Sequence, residues 1–303
     1  MYRIKELLIF AAAIASLMLQ SPATADEEPS ALDRIRERGV LEVAVYNDFP
    51  PFSFRDERGR IVGIDADIAR ALAKSLGVSA AIRAVGADES MEDDLRNNVW
   101  KGHYLGGGVA DLMLHVPYDG AFAEENDRVI FVAPYYREQI VVAVEKGVGA
   151  NLDPLDYFSR EKVGVELDTL TDFYILSAYN GKIRNQVVHF SNIGKAIAAM
   201  KRGEIAAVAG PRSEIEFALG DLADSYAVGP IRMPGLRTSG WDLGAAVKKG
   251  NSALAEAVEK AMTQLRQQSS LSKIFANYRS SYQLPSQTKL VGVESNGRIS
   301  QRD

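Results

Sequence analysis

The residues of this chain whose types could do chemistry are few and scattered. His103, His115 and His189 show no metal-ligand spacing among themselves. His115 opens the run His115-Val116-Pro117-Tyr118-Asp119 directly after apolar Val109–Leu114, at the carboxyl end of a predicted strand. Open α/β sheets bind ligands at such ends. Arg137 and Arg212 also stand at predicted strand ends, where a guanidinium fork could clamp a carboxylate or simply pair with a neighbouring acid. Pro50-Pro51-Phe52-Ser53-Phe54 is no core strand, because proline cannot donate to a ladder. Its rings either plug the end of a sheet or are held out for a ligand. Glu125, Glu138 and His115 are available for proton transfer, but spacing alone picks out no acid–base pair. Gly106-Gly107-Gly108 lacks the Gly-Lys-Ser/Thr of a phosphate loop and precedes a strand. Trp100–Gly108 reads instead as a flexible insert presenting Trp100, His103 and Tyr104.

Positioning these residues takes a regular framework, and hydrophobic periodicity indicates one. Ala31–Arg38 has helical spacing and stops at Gly39, and Asp65–Leu76 puts Ile68, Leu72 and Leu76 on one face before Gly77. Asp65 and Asp67 are placed to cap the helix they begin. Further helices are predicted over 88–100, 171–179, 192–201, 213–219, 252–267 and 272–278. Strands are predicted over 40–45, 78–85, 109–114, 139–144, 162–167, 186–189, 205–209 and 243–247. This alternation argues an open α/β fold. From residue 285 to 303 the chain is polar and aperiodic, which reads as a mobile tail.

At 303 residues the chain has room for two domains. Its N-terminus carries Arg3 and Lys5, then apolar Leu7–Leu19, then Ala23-Thr24-Ala25. That is the pattern of a cleaved secretory leader over 1–25, too short in its apolar run for a spanning helix. Without it, 33 basic residues face 39 acidic ones, with no basic stripe to hold nucleic acid. There is no cysteine, so thiol catalysis, thiolate metal sites and disulfides are excluded.

The order of segments resembles that of the type II extracytoplasmic solute-binding proteins of ABC transporters, the polar-amino-acid branch (family 3) in particular. The likeness rests on Pro50–Phe54, Gly63-Ile64-Asp65-Ala66-Asp67, Ala110–Tyr136, Val163–Thr169 and Ala245–Asn251, and it covers about residues 39–280. It implies two α/β lobes closing on a cleft, one of 39–135 with 240–282 and one of 139–234, joined near 136–138 and 233–240. It implies that Tyr46, Phe49 and Phe52 offer stacking surfaces to the cleft, and that His115, Tyr118, Arg137, Thr169, Arg212 and Trp241 line it. Trp241 could equally pack the hinge. No catalytic residue, metal or cofactor is implied. The expected partner is an inner-membrane ABC permease, the expected location the periplasm, and the expected state a monomer.

Two departures bear on the ligand. The family's carboxylate-gripping arginine is replaced by Glu125, and its ammonium-holding aspartate by Pro211 followed by Arg212; Asp168 also replaces a glycine before Thr169. The pairs "VPYD" and "PYYRE" at 116–119 and 134–138 resemble the branch associated with quinoprotein dehydrogenases. That likeness implies an anionic aromatic ligand such as pyrroloquinoline quinone, clamped by arginines. The alternatives are a polar amino acid, an accessory role beside a quinoprotein dehydrogenase, and an enzyme similar to the cyclohexadienyl dehydratases.

Overall fold

The computed structural model describes residues 28–148, 154–230 and 240–286. The leader at 1–25, most of the second crossing and the tail beyond 286 lie outside the described residues.

The chain opens with α1 (Ala31–Arg38), begun by a capping box in which Ser30 and Asp33 satisfy each other's backbone amides. β1 (Val40–Tyr46) leads to the Pro-Pro turn, and β2 (Phe54–Arg55) and β3 (Ile61–Val62) form a small hairpin. α2 (Ile64–Ser75) and β4 (Ser79–Val85) follow, then α3 (Met91–Leu95), which widens into a π-helical turn at Arg96–Trp100. β5 (Leu112–Pro117) and α4 (Gly120–Glu125) lead into β6 (Val129–Glu145), a strand of 17 residues. Next come α5 (Pro154–Phe158), β7 (Val163–Glu166), α6 (Leu170–Ser177), β8 (Val187–Phe190), α7 (Ile193–Lys201), β9 (Ala207–Pro211), α8 (Arg212–Leu219) and β10 (Tyr226–Pro230). β11 (Gly240–Lys248), α9 (Ser252–Gln267) and α10 (Ser270–Asn277) complete the fold.

The strand order is β4-β1-β5-β11-β6-β9-β7-β8, with β10 also on β6. β6 belongs to both halves. Val129–Gln139 pairs with β11, and Ile140–Glu145 pairs with β9 and β10. One core gathers the α2, α9 and α10 faces around β1 and β5, while two others pack on either side of β7 and β9. The described strands thus form two α/β halves that share one sheet, and β6 runs through both.

Two predicted elements need correction. The strand expected over 109–114 starts at Leu112 and runs through His115 to Pro117. Its register on β1 begins at Leu112 opposite Val43, and Asp111 is held one step earlier by accepting a hydrogen bond from the Glu42 amide at 2.8 Å. The helix expected over 88–100 is α-helical only to Leu95, where the wider turn begins. Trp100, expected to be presented by an insert, packs instead beside Val129 and Phe131 under the Arg128 guanidinium, 6.0 Å from its ring. Tyr104 and Leu105 are the large apolar side chains of that segment that do stand out in solvent.

The segment after α10 is anchored as far as Ser286. Arg137 donates its amide to the Gln283 carbonyl (3.1 Å), the Ser281 amide donates to Glu216 (2.6 Å), and the Ser286 hydroxyl donates to Asp242 (2.5 Å). It therefore straps the hinge to α8, and the start of the expected tail at 285–286 is bound structure.

Candidate functional site: an aromatic pocket over a buried histidine–aspartate pair

The site grows out of an irregularity in the sheet. Gly244 of β11 pairs with Val116 while Ala245 pairs with Leu114, which leaves His115 as an unpaired bulge residue with φ +63°. On the other side of β11, Leu243 pairs with Tyr136 and Ala245 with Val132, so Ala133–Tyr135 bulges opposite Gly244. Gly244 fits between them because it has no side chain; a Cβ there would meet the Tyr118 ring at 2.9 Å and the Val132 carbonyl at 3.0 Å. The two bulges turn His115 and Tyr135 towards the same point, the Asp65 carboxylate.

Asp65 is fully buried. Its Oδ1 accepts the Tyr135 hydroxyl at 2.6 Å, and its Oδ2 lies 3.1 Å from His115 Nδ1. The expectation that Asp65 caps α2 is thus corrected, since Gly63 holds the cap position without a side-chain bond and Asp65 points into the core. Asp67 likewise turns away from the helix end, accepting the Tyr278 hydroxyl at 2.9 Å and pairing with Arg70 at 2.7 Å. Burial and the Asp65 charge together push the Tyr135 phenol well above its ordinary range.

Above this pair the rings close in. Phe52 lies 4.3 Å from His115, Phe49 4.8 Å and Tyr46 6.1 Å, all edge to face. Phe52 is 1% exposed and also meets Tyr136 and Phe275, so it is a core ring and not the stacking surface expected of it. Phe49, stacked on Phe52 at 5.7 Å, is the ring left half open. Tyr46 donates to Asp94 at 2.7 Å, and burial with that acid beside it drives its hydroxyl far above the usual phenol range. Tyr46, Phe49 and His115 together with Asn47, Asp48 and Val85–Ala87 line a cavity of about 360 Å³ at the carboxyl ends of β1 and β4. That volume suits a small solute.

The remaining expected residues take structural positions. Arg137 pairs with Asp242 at 2.9 Å and donates to the Ser286 hydroxyl and the Gly240 carbonyl. Arg212 pairs with Glu216 at 3.0 Å, one helical turn on. Both arginines thus take the ion-paired alternative left open for them, Arg137 at the hinge and Arg212 along α8. Tyr118 is 2% exposed and, with Trp241, borders a second cavity of about 270 Å³ beside Arg137 and Asp242. Trp241 also packs on the cores of both lobes, the hinge role left open above. Thr169 caps α6, accepting the Asp172 amide at 3.2 Å and donating to the Glu166 carbonyl at 2.8 Å.

Glu138 at the hinge and the second lobe's Glu166 and Glu214 form a group of acids that spacing did not bring together. Glu138 is 2% exposed; it accepts the Gln139 amide at 2.9 Å and the Ser213 hydroxyl, and burial raises its pKa. Burial, and then the Glu166 and Glu138 carboxylates, push Glu214 up to about 8. Glu214 thus holds a proton in the folded state that the unfolded chain has lost above its ordinary value near 4.5. Its contribution to stability is therefore full below that value and is lost as pH rises towards 8. In thermal melts the loss of stability between pH 5 and pH 8 is expected to be smaller in Glu214→Gln than in the natural chain. Equal slopes would show that Glu214 does not titrate this way.

Among the described residues no cluster of three or more His, Asp or Glu side chains could hold a metal ion, and no helix is long and apolar enough to cross a membrane. Residues 41–100, which carry β1, the Pro-Pro turn, α2 and Asp65, match the model for bacterial extracellular solute-binding proteins, family 3. That match spans 60 of the 303 residues. The L-cystine-binding protein TcyJ of Escherichia coli is 25% identical over 240 residues, 79% of this chain and 82% of that one. A cyclohexadienyl dehydratase of Pseudomonas aeruginosa is 42% identical over 81 residues, 27% of this chain and 30% of that one. Among solved structures, an ancestral cationic amino acid solute-binding protein superposes with a TM-score of 0.66 at 23% identity, covering 83% of this chain and 100% of the other. That last likeness concerns the fold.

Proposed function

We propose that this protein is an exported receptor that captures an amino acid between its lobes and hands it to an ABC permease in the inner membrane. The observation that carries the reading is the composition of the aromatic cavity. Its lining pairs one group able to carry positive charge, His115, with one exposed carboxylate, Asp48, among the rings of Tyr46 and Phe49. The zwitterionic head of an amino acid offers a carboxylate to the first and an ammonium to the second. The similarity to a cystine-binding protein over most of both chains supports the same class of ligand.

The pyrroloquinoline quinone reading loses its supports here. It needed Arg137 and Arg212 free to clamp carboxylates, and both are ion-paired within the protein. A quinoprotein dehydrogenase as partner finds no support among the relatives described above.

The test is a thermal-shift panel of the common amino acids and L-cystine, with pyrroloquinoline quinone and prephenate as controls. A ligand that binds only the folded state raises stability by about 2.7 kcal/mol at a hundredfold excess over its Kd. A shift with one amino acid or a related group of them is expected. A shift with the quinone alone, or consumption of prephenate, would replace this reading by the corresponding alternative.

A further inference from the structure

The geometry points to His115 as the group that reads the ligand's carboxylate: its Nδ1 is spent on Asp65, and we propose that its Nε2–H binds the anion in the aromatic cavity. This rests on the amino-acid reading and names the recognition chemistry of its lobe 1 half.

The cavity's lining contains no Lys or Arg, so His115 is its one residue able to carry a positive charge. The ring is not free to turn. Asp65 Oδ2 faces Nδ1 at 3.1 Å from the fully buried side, and the edges of Phe49 and Phe52 fix the ring plane. A histidine held by a carboxylate at one nitrogen presents the other in a defined direction. Here the second nitrogen, Nε2, has no hydrogen-bond partner among the described residues, and the 11% of the side chain that remains open lies on the cavity.

The charge balance favours an anion at Nε2. Among the described residues the buried Asp65 carboxylate has the Tyr135 hydroxyl and His115 as its side-chain partners. A ligand carboxylate at Nε2 puts an acid at each ring nitrogen, so that in the complex both nitrogens act as N–H donors, one to Asp65 and one to the ligand. The other charged or titratable groups facing this ring are Tyr46, Asp48 at the cavity mouth and Glu138 from β6. None of these can donate a charged N–H to a carboxylate. The left-handed backbone at His115 is consistent with this role, because a strained residue persists where its side chain must be aimed.

The experiment compares each amino acid with its decarboxylated partner: L-arginine with agmatine, L-histidine with histamine, L-cystine with cystamine. For any pair whose amino acid binds, the carboxylate is expected to raise affinity about 10- to 100-fold, the range of a charged hydrogen bond. In His115→Gln that advantage, read as the ratio of the two affinities, is expected to fall to a few-fold or less. Nitrogen NMR of the natural protein gives a readout independent of the variant's folding. The His115 Nε2 resonance is expected to move to that of a protonated, hydrogen-bonded nitrogen with the amino acid and to stay put with its decarboxylated partner. An undiminished carboxylate advantage in His115→Gln, or an unresponsive Nε2, overturns the assignment and leaves the amino-acid reading standing. Binding of no amino acid overturns both.

Discussion

Asp65→Ala is expected to destabilise the first lobe by about 3 kcal/mol or more, the cost of stranding two buried polar partners at once. The carboxylate has no exposure and holds two partners from distant segments, Tyr135 and His115. Without it, the Tyr135 hydroxyl is left in a fully buried place with no acceptor at Asp65. The His115 ring loses what fixes its direction. Urea unfolding of the two proteins measures the loss of stability. Asp65→Asn separates the two roles, since it keeps an acceptor for Tyr135 but removes the charge. It is expected to lose less stability than the alanine variant while losing the carboxylate preference in binding. If the alanine variant unfolds within about 1 kcal/mol of the natural protein, Asp65 is not the centre of this network.

Much of the framework was legible because it depends on neighbours in the chain. Ser30, Thr169 and Asn192 each receive an amide from three residues on, and those helix starts follow from local hydrogen-bond chemistry, whereas the short helix that Asp119 caps in the same way was not among the predicted elements. The Arg212–Glu216 pair was legible too, since residues four apart on a helix meet, and it should have weakened the expectation of a free clamp at Arg212. The site itself was hidden for a physical reason. His115 bulges because β11, over a hundred residues later in the chain, slips its register beside it. Asp65 meets Tyr135 across 70 residues and Arg137 meets Asp242 across 105. Nothing local marks these partners, so Asp65 read as a cap and Arg137 as a clamp. The Pro-Pro turn was read correctly as no core strand, yet the rings on and beside it divide by packing: Phe52 into the core, Phe54 against Phe217 and Tyr278, and Phe49 towards the cavity.

Gly63→Ala is expected to cost about 4 kcal/mol and to abolish ligand binding together with native stability. Gly63 closes the β2–β3 hairpin onto α2 with φ +126°, a conformation side chains rarely adopt. A Cβ there would fall 2.2 Å from the Phe52 carbonyl oxygen and 2.8 Å from the Ser53 amide nitrogen. Those are backbone atoms, so no rotamer change relieves the collision. The strands cannot part cheaply either. The Phe52 carbonyl accepts the Asp65 amide at 2.8 Å, the Pro51 carbonyl accepts the Ile64 amide at 3.0 Å, and the Gly63 amide donates to the Tyr278 hydroxyl at 2.9 Å. Backbone strain and overpacking of a dense core each cost about 1–3 kcal/mol. The insertion also pushes directly on Phe52, whose ring touches His115, so the cavity floor moves with it. Gly59→Ala in the same hairpin is the control, because it too has positive φ but a methyl group there would meet nothing within 4 Å. It is expected to lose only the strain share, about 1 kcal/mol. Equal losses in the two variants would mean that the contact between Gly63 and the Phe52 backbone does not set the height of the cavity floor.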